Sequence, residues 1–287
     1  MTASVTLLPV PALVMGILNV TPDSFSDGGR FVDVERAVDH GRELARQGAE
    51  IIDVGGESTR PGAEPVGTAE EVERVVPVIA ALAPHVRVSV DTAKAEVAAA
   101  AVEAGATLIN DVSASLHEVA AEHGVGWVAM HMQGEPRTMQ VEPTYGDVVA
   151  EVEAYLRERA AIARRVGIRE VWLDPGIGFG KTPSHNWQLL AAIDRLAAIG
   201  VPVAVGTSRK GFLGAAMARA DDIDGPVPTG DRLEGSVATA VRAVAGGAAM
   251  VRVHEVAATV AALGAARSAV RPSPVDRHEQ RESSRWL

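Results

Sequence analysis

The chain has 287 residues, a formal net charge of −10 at pH 7, no cysteine and 22% charged side chains. The absence of cysteine excludes a disulfide framework, a thiolate metal site and a cysteine nucleophile. With 47% hydrophobic residues the chain can bury a large core, so a disordered polymer is excluded as well. The acidic balance disfavours general nucleic-acid binding, which depends on phosphate neutralisation by Lys and Arg. We therefore expect no nucleic-acid partner.

The N-terminal stretch 6–18 is apolar, but it lacks a basic leader and contains Pro9 and Pro11. No small-residue cleavage pattern follows it, which argues against a signal peptide. Nowhere does the chain contain the roughly 20 consecutive apolar residues that a transmembrane helix needs. We therefore expect a soluble cytoplasmic protein without a membrane partner.

Short β-branched runs alternate with longer Ala-rich amphipathic stretches along most of the chain. The predicted strands are 14–20, 50–55, 87–91, 107–112, 127–131, 170–174, 201–206 and 250–254. The predicted helices are 34–47, 69–82, 93–104, 116–122, 148–166, 186–199, 233–245 and 257–269. Apolar strands that are each followed by a helix are typical of parallel strands buried on both faces.

Eight such units predict an α/β protein with one domain, a (β/α)8 TIM barrel over residues 1–270 with mobile first and second loops at its carboxyl-terminal face. The alternative is an open doubly wound sheet, which should carry a Gly-x-Gly-x-x-Gly loop after its first strand. Residues 19–29 lack that loop, which favours the barrel. The polar segment 271–287 contains two prolines and mixed charge, and we predict that it is a flexible tail.

Polar or charged side chains stand at the end of every predicted strand. A single one of them has a simple alternative role as a helix cap, but eight strand ends of a barrel converge on one rim, where its chemistry collects. Asp91, Asn110 and Asp174 are short groups at three of these ends. Carboxylates and amides pair with the amino, ring N–H and carbonyl groups of a planar heterocycle, and we expect such a ligand here.

A second set of side chains is cationic and follows the second, seventh and eighth strands. It consists of Arg60, Arg209, Lys210, Arg252 and His254. The loops after strands seven and eight bind phosphate in many barrels, so this set predicts an anionic, phosphorylated substrate. Surface solvation is an equally good interpretation of Arg60 and Arg209, and a weaker one of Arg252, which alternates with two valines.

Lysine occurs at only three positions, Lys94, Lys181 and Lys210, although Lys and Arg together number 27. Lys181 ends a glycine-rich run that looks like a phosphate-binding P-loop, but Pro175 stands where that motif needs its first glycine. We interpret Lys94 as an ordinary surface residue and Lys210 as a site residue. For Lys181 a structural loop contact remains an open alternative.

Two long loops carry specific motifs. Met-Gly-Ile-Leu-Asn-Val-Thr-Pro-Asp-Ser-Phe-Ser-Asp-Gly-Gly at 15–29 and Ile-Asp-Val-Gly-Gly-Glu-Ser-Thr-Arg-Pro-Gly at 52–62 resemble the two signature loops of the dihydropteroate synthase family. Shorter matches at the other strand ends extend the resemblance over residues 13–270. The resemblance implies a folate-pathway enzyme that joins p-aminobenzoate to 6-hydroxymethyl-7,8-dihydropterin diphosphate, uses Mg²⁺ and forms a homodimer.

The resemblance also implies roles for individual residues. The pterin would be held by Asp91, Asn110, Met130, Asp174, Lys210 and Arg252. The diphosphate would contact Asn19, Arg60, Arg252 and His254, and Asn19 would also meet the Mg²⁺. The p-aminobenzoate pocket would be framed by Phe25, Thr59, Pro61, Phe179 and Ser208. The catalytic groups would be Arg60, Lys210 and a carboxylate of the first loop, Asp27 or Asp23, of which the motif position favours Asp27.

The implied mechanism is dissociative: the C–O bond to the diphosphate breaks first, and the aniline nitrogen then captures the pterin-6-ylmethyl cation. Gly211 departs from some relatives, which carry Ser or Arg there, and leaves only backbone N–H groups at a helix start for the aminobenzoate carboxylate. One rival is a pterin-barrel methyltransferase, which would need neither the second loop nor Arg252 and His254. Another is a catalytically silent paralogue that binds pterin or a partner.

Overall fold

The structure, a computed structural model, describes residues 12–21, 30–58 and 65–270. Within these ranges eight strands alternate with ten α-helices. The strands are β1 Leu13–Asn19, β2 Ile51–Gly55, β3 Arg87–Asp91, β4 Leu108–Asp111, β5 Gly126–Met130, β6 Val171–Asp174, β7 Ala204–Gly206 and β8 Met250–Val253. The helices are α1 Arg30–Arg46, α2 Thr68–Leu82, α3 Ala95–Glu103, α4 His117–His123, α5 Val148–Val166, α6 Pro183–Ala191, α7 Ile193–Ala197, α8 Gly211–Ala220, α9 Leu233–Ala245 and α10 Val256–Val270. A short 3-10 helix, Thr229–Asp231, precedes α9.

The strands form one parallel sheet in the order β6-β5-β4-β3-β2-β1-β8-β7. The two ends of this order approach each other, because Leu173 of β6 bridges Val203 in parallel and its N–H donates to the carbonyl of Pro202 at 2.9 Å. The sheet therefore curls into a nearly closed barrel with helices around it. This confirms the predicted TIM barrel.

The strand alternation divides the barrel into two apolar regions. One small cluster fills the lumen near the amino-terminal ends of the strands and includes Met15, Ile51, Leu108, Trp172 and Met250. A much larger cluster lies between the sheet and the helices. Because successive strand residues point to opposite faces, the lumen residues two positions further along are Asp53, Asn110, Asp174 and Arg252. The lumen therefore changes from apolar to polar towards the carboxyl ends.

The predicted helices differ from the structure at two places. The single helix predicted at 186–199 is divided into α6 and α7 at Ala192, whose φ of −103° and ψ of 19° are not helical. The helix α8 was missed, since Gly211 and Gly214 lower the helix propensity of its sequence. Packing explains Gly214, because a Cβ there would lie 2.6 Å from Nε of Arg232. Strand β7 is also shorter than the predicted 201–206.

Part of the predicted organisation lies outside the described residues, namely most of the first loop, residues 59–64 of the second loop and the segment 271–287. Among the helices that the structure describes, none is long and apolar enough to cross a membrane.

Candidate active site

The polar end of the lumen brings together most of the predicted site residues that the structure describes. Asn19, Asp91, Met130 and Asp174 each end a strand, on β1, β3, β5 and β6. Asn110 and Arg252 lie one residue before the ends of β4 and β8, and both project into the lumen through the contacts described next. Three of these strands contribute buried side chains, Asn110, Met130 and Asp174, and the other three side chains are partly buried. The groups therefore face one another across a restricted space rather than open solvent.

Arg252 lies at the centre of an ion-pair network in the lumen. Its Nε donates to Oδ2 of Asp53 at 2.6 Å, and its other guanidinium edge donates to Oδ2 of Asp91 at 2.6 Å. The same oxygen of Asp53 accepts from Nδ2 of Asn110 at 2.9 Å. Sequence reasoning missed Asp53, although an acidic residue within the apolar strand Ile-Ile-Asp-Val-Gly was the available signal, because a buried charge needs a partner.

The two buried carboxylates predicted to recognise a heterocycle have raised pKa values. Burial raises the pKa of Asp91 to about 7, with Arg252 opposing this shift and Asp53 adding to it. Burial also raises the pKa of Asp174, against the stabilising N–H of Gly176, which donates to its Oδ1 at 2.7 Å. Within the described part of the chain, Oδ1 of Asp91 and Oδ1 of Asp53 have no hydrogen-bond partner. Such acceptors are suited to N–H groups of a bound ligand.

Lys210 brings a cation to the same space. It immediately precedes α8, and its ammonium nitrogen lies 3.9 Å from the centroid of the Phe179 ring. Burial lowers its pKa to about 8, as does the nearby Arg252, while Asp174 and Asp91 oppose that shift. The lysine predicted to hold the pterin therefore contacts the phenylalanine predicted to frame the p-aminobenzoate pocket.

The loop after β6 is shaped by three glycines with positive φ. Gly176, Gly178 and Gly180 have φ values of 64°, 85° and 60°. A Cβ at Gly176 would lie 1.8 Å from the carbonyl oxygen of His131, and one at Gly180 would lie 2.1 Å from that of Gln133. Gly176 and Gly180 are therefore required because the loop packs directly on the backbone that follows β5, not because the loop resembles a P-loop.

Lys181 is the structural contact of this loop. Its side chain is 2% exposed, and its Nζ lies 2.9 Å from Nδ1 of His131 and 2.9 Å from the carbonyl oxygen of Phe179. Burial lowers the pKa of Lys181 to about 7, and burial together with Lys181 lowers the pKa of His131 to about 3. Lys181 therefore holds the backbone of Phe179 in position through this hydrogen bond. The structural alternative for this lysine is confirmed.

The ends of β7 and β8 are joined by Glu255, which sequence reasoning did not assign. Ser208 Oγ lies 2.9 Å from Oε2 of Glu255 and 2.9 Å from Nδ1 of His254, and it accepts from the backbone N–H of His254 at 3.1 Å. Arg209 forms an ion pair with the same glutamate. The positive charge of Arg209 is thus matched within the protein. Ser208 and His254, predicted to serve different substrates, contact each other directly.

Two further residues have roles that differ from the sequence interpretation. Lys94 is not an ordinary surface residue, because its ammonium group pairs with both Glu57 and the fully buried Glu71. Its charge therefore lies against the base of the second loop. Asp111 follows Asn110 on β4 but turns to the outer face, where Oδ2 accepts from Nε1 of Trp127 at 3.0 Å. Only one of the two polar residues at that strand end faces the lumen.

Six of the predicted site residues lie outside the described residues: Asp23, Phe25, Asp27, Thr59, Arg60 and Pro61. Their roles stay predictions. The described neighbours show where the two loops leave the barrel, since Asn19 ends β1 and Gly55 ends β2 beside it in register.

The surroundings of Asn19 fit a magnesium ion that arrives with a phosphorylated substrate. A Cβ at Gly55 would lie 3.8 Å from Oδ1 of Asn19 and 3.5 Å from Cβ of Asp91, so the glycine leaves space in front of this amide oxygen. Among the described residues, no group of three or more His, Asp or Glu side chains could hold a metal. Mg²⁺ is commonly bound by one or two protein oxygens together with water and substrate phosphates, and Asn19 can provide one such oxygen.

Comparison with known proteins agrees with this geometry. Residues 15–254 match the model of a pterin binding enzyme. The dihydropteroate synthase of Escherichia coli is 47% identical over 258 residues, which cover 87% of this chain and 89% of that protein. The Xanthomonas albilineans dihydropteroate synthase with 4-aminobenzoic acid is 47% identical, with a TM-score of 0.84 and coverage of 93% of this chain and 95% of the other. Another structure of a Xanthomonas albilineans enzyme, in complex with 7,8-dihydropteroate, has 44% identity, a TM-score of 0.81 and coverage of 93% and 96%. The chain belongs to the dihydropteroate synthase family of pterin binding enzymes.

Proposed function

We propose that the protein condenses p-aminobenzoate with 6-hydroxymethyl-7,8-dihydropterin diphosphate, giving 7,8-dihydropteroate and pyrophosphate. The observation that carries this proposal is the lumen network in which Asp53 and Arg252 connect Asn110 to Asp91, near Asp174 and Lys210. Acceptors suited to a heterocycle lie in this network next to cations suited to a diphosphate, which supports the proposal. The family relatives named as dihydropteroate synthases support the same reaction.

The pterin end of the substrate suits the buried acceptors. Asp174 and Asp91 can each accept parallel N–H bonds when ionised, and the amide of Asn110 can both donate and accept. Met130, which is 4% exposed at the end of β5, offers a polarisable thioether for packing against a flat ring. Lys210 would donate to a carbonyl or ring nitrogen from the other side.

The diphosphate end would lie towards Asn19, Arg252 and His254, with Arg60 from the second loop. These donors stabilise negative charge as it accumulates on the leaving pyrophosphate. Mg²⁺, held through Asn19 and the substrate's own oxygens, would supply further charge neutralisation on that leaving group. A dissociative path fits this set, because the protein then stabilises a separated anion and needs no covalent nucleophile.

The p-aminobenzoate would bind near Phe179 and Ser208, with Phe25, Thr59 and Pro61 as further walls. Its carboxylate would face the backbone N–H groups at the start of α8, which favour an anion. Asp27, with Asp23 as the alternative, would offset the positive charge of the pterin-6-ylmethyl cation. The two long loops would exclude the water that otherwise captures this cation.

The proposal is tested with purified protein, both substrates and Mg²⁺, by measuring dihydropteroate and pyrophosphate. We expect product only when both substrates are present. A matched variant, Asp174→Asn, keeps the side-chain shape but can accept at only one atom, and we expect it to weaken pterin binding. Absence of dihydropteroate from the parent protein under these conditions would refute the proposed reaction.

We also propose that the protein is a cytoplasmic homodimer. Among the described residues, exposed apolar side chains occur on neighbouring outer elements: Trp187 on α6 is 41% exposed, Ile223 after α8 is 55% exposed and Leu233 on α9 is 41% exposed. Such a group of apolar residues favours burial against another molecule. Sedimentation of the parent protein and of the Ile223→Asp/Leu233→Asp double variant would test this; a parent that sediments as a monomer contradicts the proposal.

A further inference from the structure

A fully buried carboxylate, Asp53, lies beneath the groups that are proposed to bind the pterin. It stands in the middle of β2, with 0% of its surface exposed, on the lumen face between Ile51 and Gly55. Its Oδ2 accepts simultaneously from Nδ2 of Asn110 and Nε of Arg252. From this shared oxygen we propose that Asp53 is a positioning residue, which orients Asn110 and Arg252 for the substrate. The inference rests on the proposed function.

The first consequence concerns the direction of the Asn110 amide. A carboxylate oxygen can only accept hydrogen bonds, so the NH₂ group of Asn110 must face Asp53, at 2.9 Å. The amide oxygen of Asn110 is then directed elsewhere and can accept from an N–H group of the heterocycle. Without the carboxylate, a rotation of the amide by half a turn would exchange donor and acceptor at little cost. Asp53 thereby sets which edge of the amide the substrate meets.

The second consequence concerns the charge of Arg252. Its guanidinium group divides between two carboxylates, with Nε on Asp53 and the other edge on Asp91, both at 2.6 Å. Asp91 is one of the acceptors proposed for the pterin, so a bound ligand would share this carboxylate with Arg252. Because Asp53 keeps its own bond to Nε, Arg252 retains a second buried counter-ion when the ligand engages Asp91. The planar guanidinium group also keeps its orientation.

The central test is the nearly isosteric variant Asp53→Asn. We expect the dissociation constant of the pterin diphosphate, measured by calorimetry, to rise by about tenfold or more, as for the loss of hydrogen bonds to a charged group. The KM for p-aminobenzoate at saturating pterin diphosphate should change less than twofold. The matched control is Glu170→Gln, which removes an ion pair with Arg87 (2.7 Å) at the opposite end of the barrel. It should alter thermal stability but not pterin affinity.

A comparison of variants in two backgrounds distinguishes a positioning role of Asp53 from a merely structural one. If Asp53 acts through its two partners, Asp53→Asn should weaken pterin binding much less in an Asn110→Ala/Arg252→Met background than in the parent. Equal weakening in both backgrounds, or a parent-like dissociation constant in folded Asp53→Asn, would overturn the proposal. If Asp53→Asn does not fold, Asp53→Glu keeps the charge but moves the shared oxygen by one methylene. We expect a several-fold loss of pterin affinity there, and unchanged affinity would again overturn the proposal.

These outcomes are distinct from failure of the proposed reaction. A parent protein that binds the pterin diphosphate but forms no dihydropteroate would refute the proposed reaction. The effect of Asp53 on pterin affinity would still be measured by calorimetry. A reaction that proceeds normally in the parent, together with unaltered pterin binding in the Asp53 variants, would refute only the positioning role.

Discussion

The ammonium nitrogen of Lys210 lies 3.9 Å from the centroid of the Phe179 ring, so the residue before α8 contacts the glycine-rich loop after β6. Phe179 is in turn held by Lys181, whose Nζ donates to the Phe179 carbonyl at 2.9 Å. A lysine proposed to contact the pterin and an aromatic ring proposed to contact p-aminobenzoate therefore form one unit. Changes to either residue should affect both substrates.

The first prediction concerns the shape of the Lys210 cation. Lys210→Arg keeps the charge but replaces the compact ammonium group beside the Phe179 ring with a wider planar fork. We expect kcat/KM for the pterin diphosphate to fall by about tenfold to a hundredfold, corresponding to roughly 1.4 to 2.8 kcal/mol. Steady-state kinetics measures this loss. Arg219→Lys, at the exposed end of the same helix, is the control and should retain parent kinetics.

The sequence predicts those parts of the site that depend on neighbouring residues, and it does not predict contacts between residues far apart in the chain. Strand alternation and turn glycines are local, and they placed Asp91, Asn110 and Asp174 at strand ends correctly. The partners of these residues come from distant segments: Arg252 meets Asp53 across 199 positions. No local pattern states which buried charges compensate each other, so Asp53 was missed.

The same limit explains the interpretation of Lys94. A lone lysine at a predicted helix start has no local feature that distinguishes a solvent-exposed side chain from a buried ion pair. Its two partners, Glu57 and Glu71, lie on the neighbouring strand–helix unit. Glu255, likewise, becomes recognisable only when β7 and β8 lie side by side and bring Ser208 and Arg209 to it.

The second prediction is that pterin binding depends on pH with a maximum between about pH 7 and 8. Burial raises the pKa of Asp91 to about 7, in the presence of Arg252, Asp53, Glu71 and Lys210. Below that pH the carboxyl group becomes protonated and loses an acceptor. Burial lowers the pKa of Lys210 to about 8, so above that pH the cation is lost. Calorimetric titrations from pH 6 to 9 should show that the pterin affinity falls both below about pH 7 and above about pH 8.

The Asp91→Asn variant provides the control for this pH dependence. Its side chain cannot ionise, so its pterin affinity should fall less below pH 7 than that of the parent. Some fall should remain, because the pKa of Asp174 is also raised. The fall at alkaline pH should remain, because it depends on Lys210. A parent affinity that stays constant from pH 6 to 8 would contradict the assignment of Asp91 as an ionised acceptor.

The third prediction concerns Gly211, the first residue of α8. A Cβ at this position would have no atom within 4 Å, so a side chain can be added without displacing a neighbour. Gly211→Ser would add a hydroxyl donor beside the helix N–H groups that are proposed to face the aminobenzoate carboxylate. We expect the KM for p-aminobenzoate to fall a few-fold, with the KM for the pterin diphosphate unchanged. Gly211→Ala, which adds volume but no donor, should leave both values unchanged, and an equal effect of Ala and Ser would refute the proposed contact.

The fourth prediction is that the buried Lys181 makes the free energy of unfolding depend on pH. Burial lowers its pKa to about 7 in the folded protein, from an ordinary value of 10.5. Between these values the unfolded chain binds more protons than the folded one, so this residue makes stability rise as the pH rises from 7 towards 10.

In Lys181→Met the side chain keeps a similar length but cannot titrate. The free energy of unfolding of the parent, relative to that of the variant, should therefore increase by about 2 kcal/mol between pH 7 and pH 9, since one pH unit corresponds to about 1.4 kcal/mol. Urea denaturation at each pH measures the difference.

Lys94→Met is the contrasting variant, because ion pairs with Glu57 and Glu71 raise the pKa of Lys94 against the effect of burial. Its stabilising effect should be constant over the same range and be lost only at higher pH. Parallel pH profiles for the parent and Lys181→Met would show that Lys181 does not titrate in this range. The lysine would then hold Phe179 as a permanently charged donor.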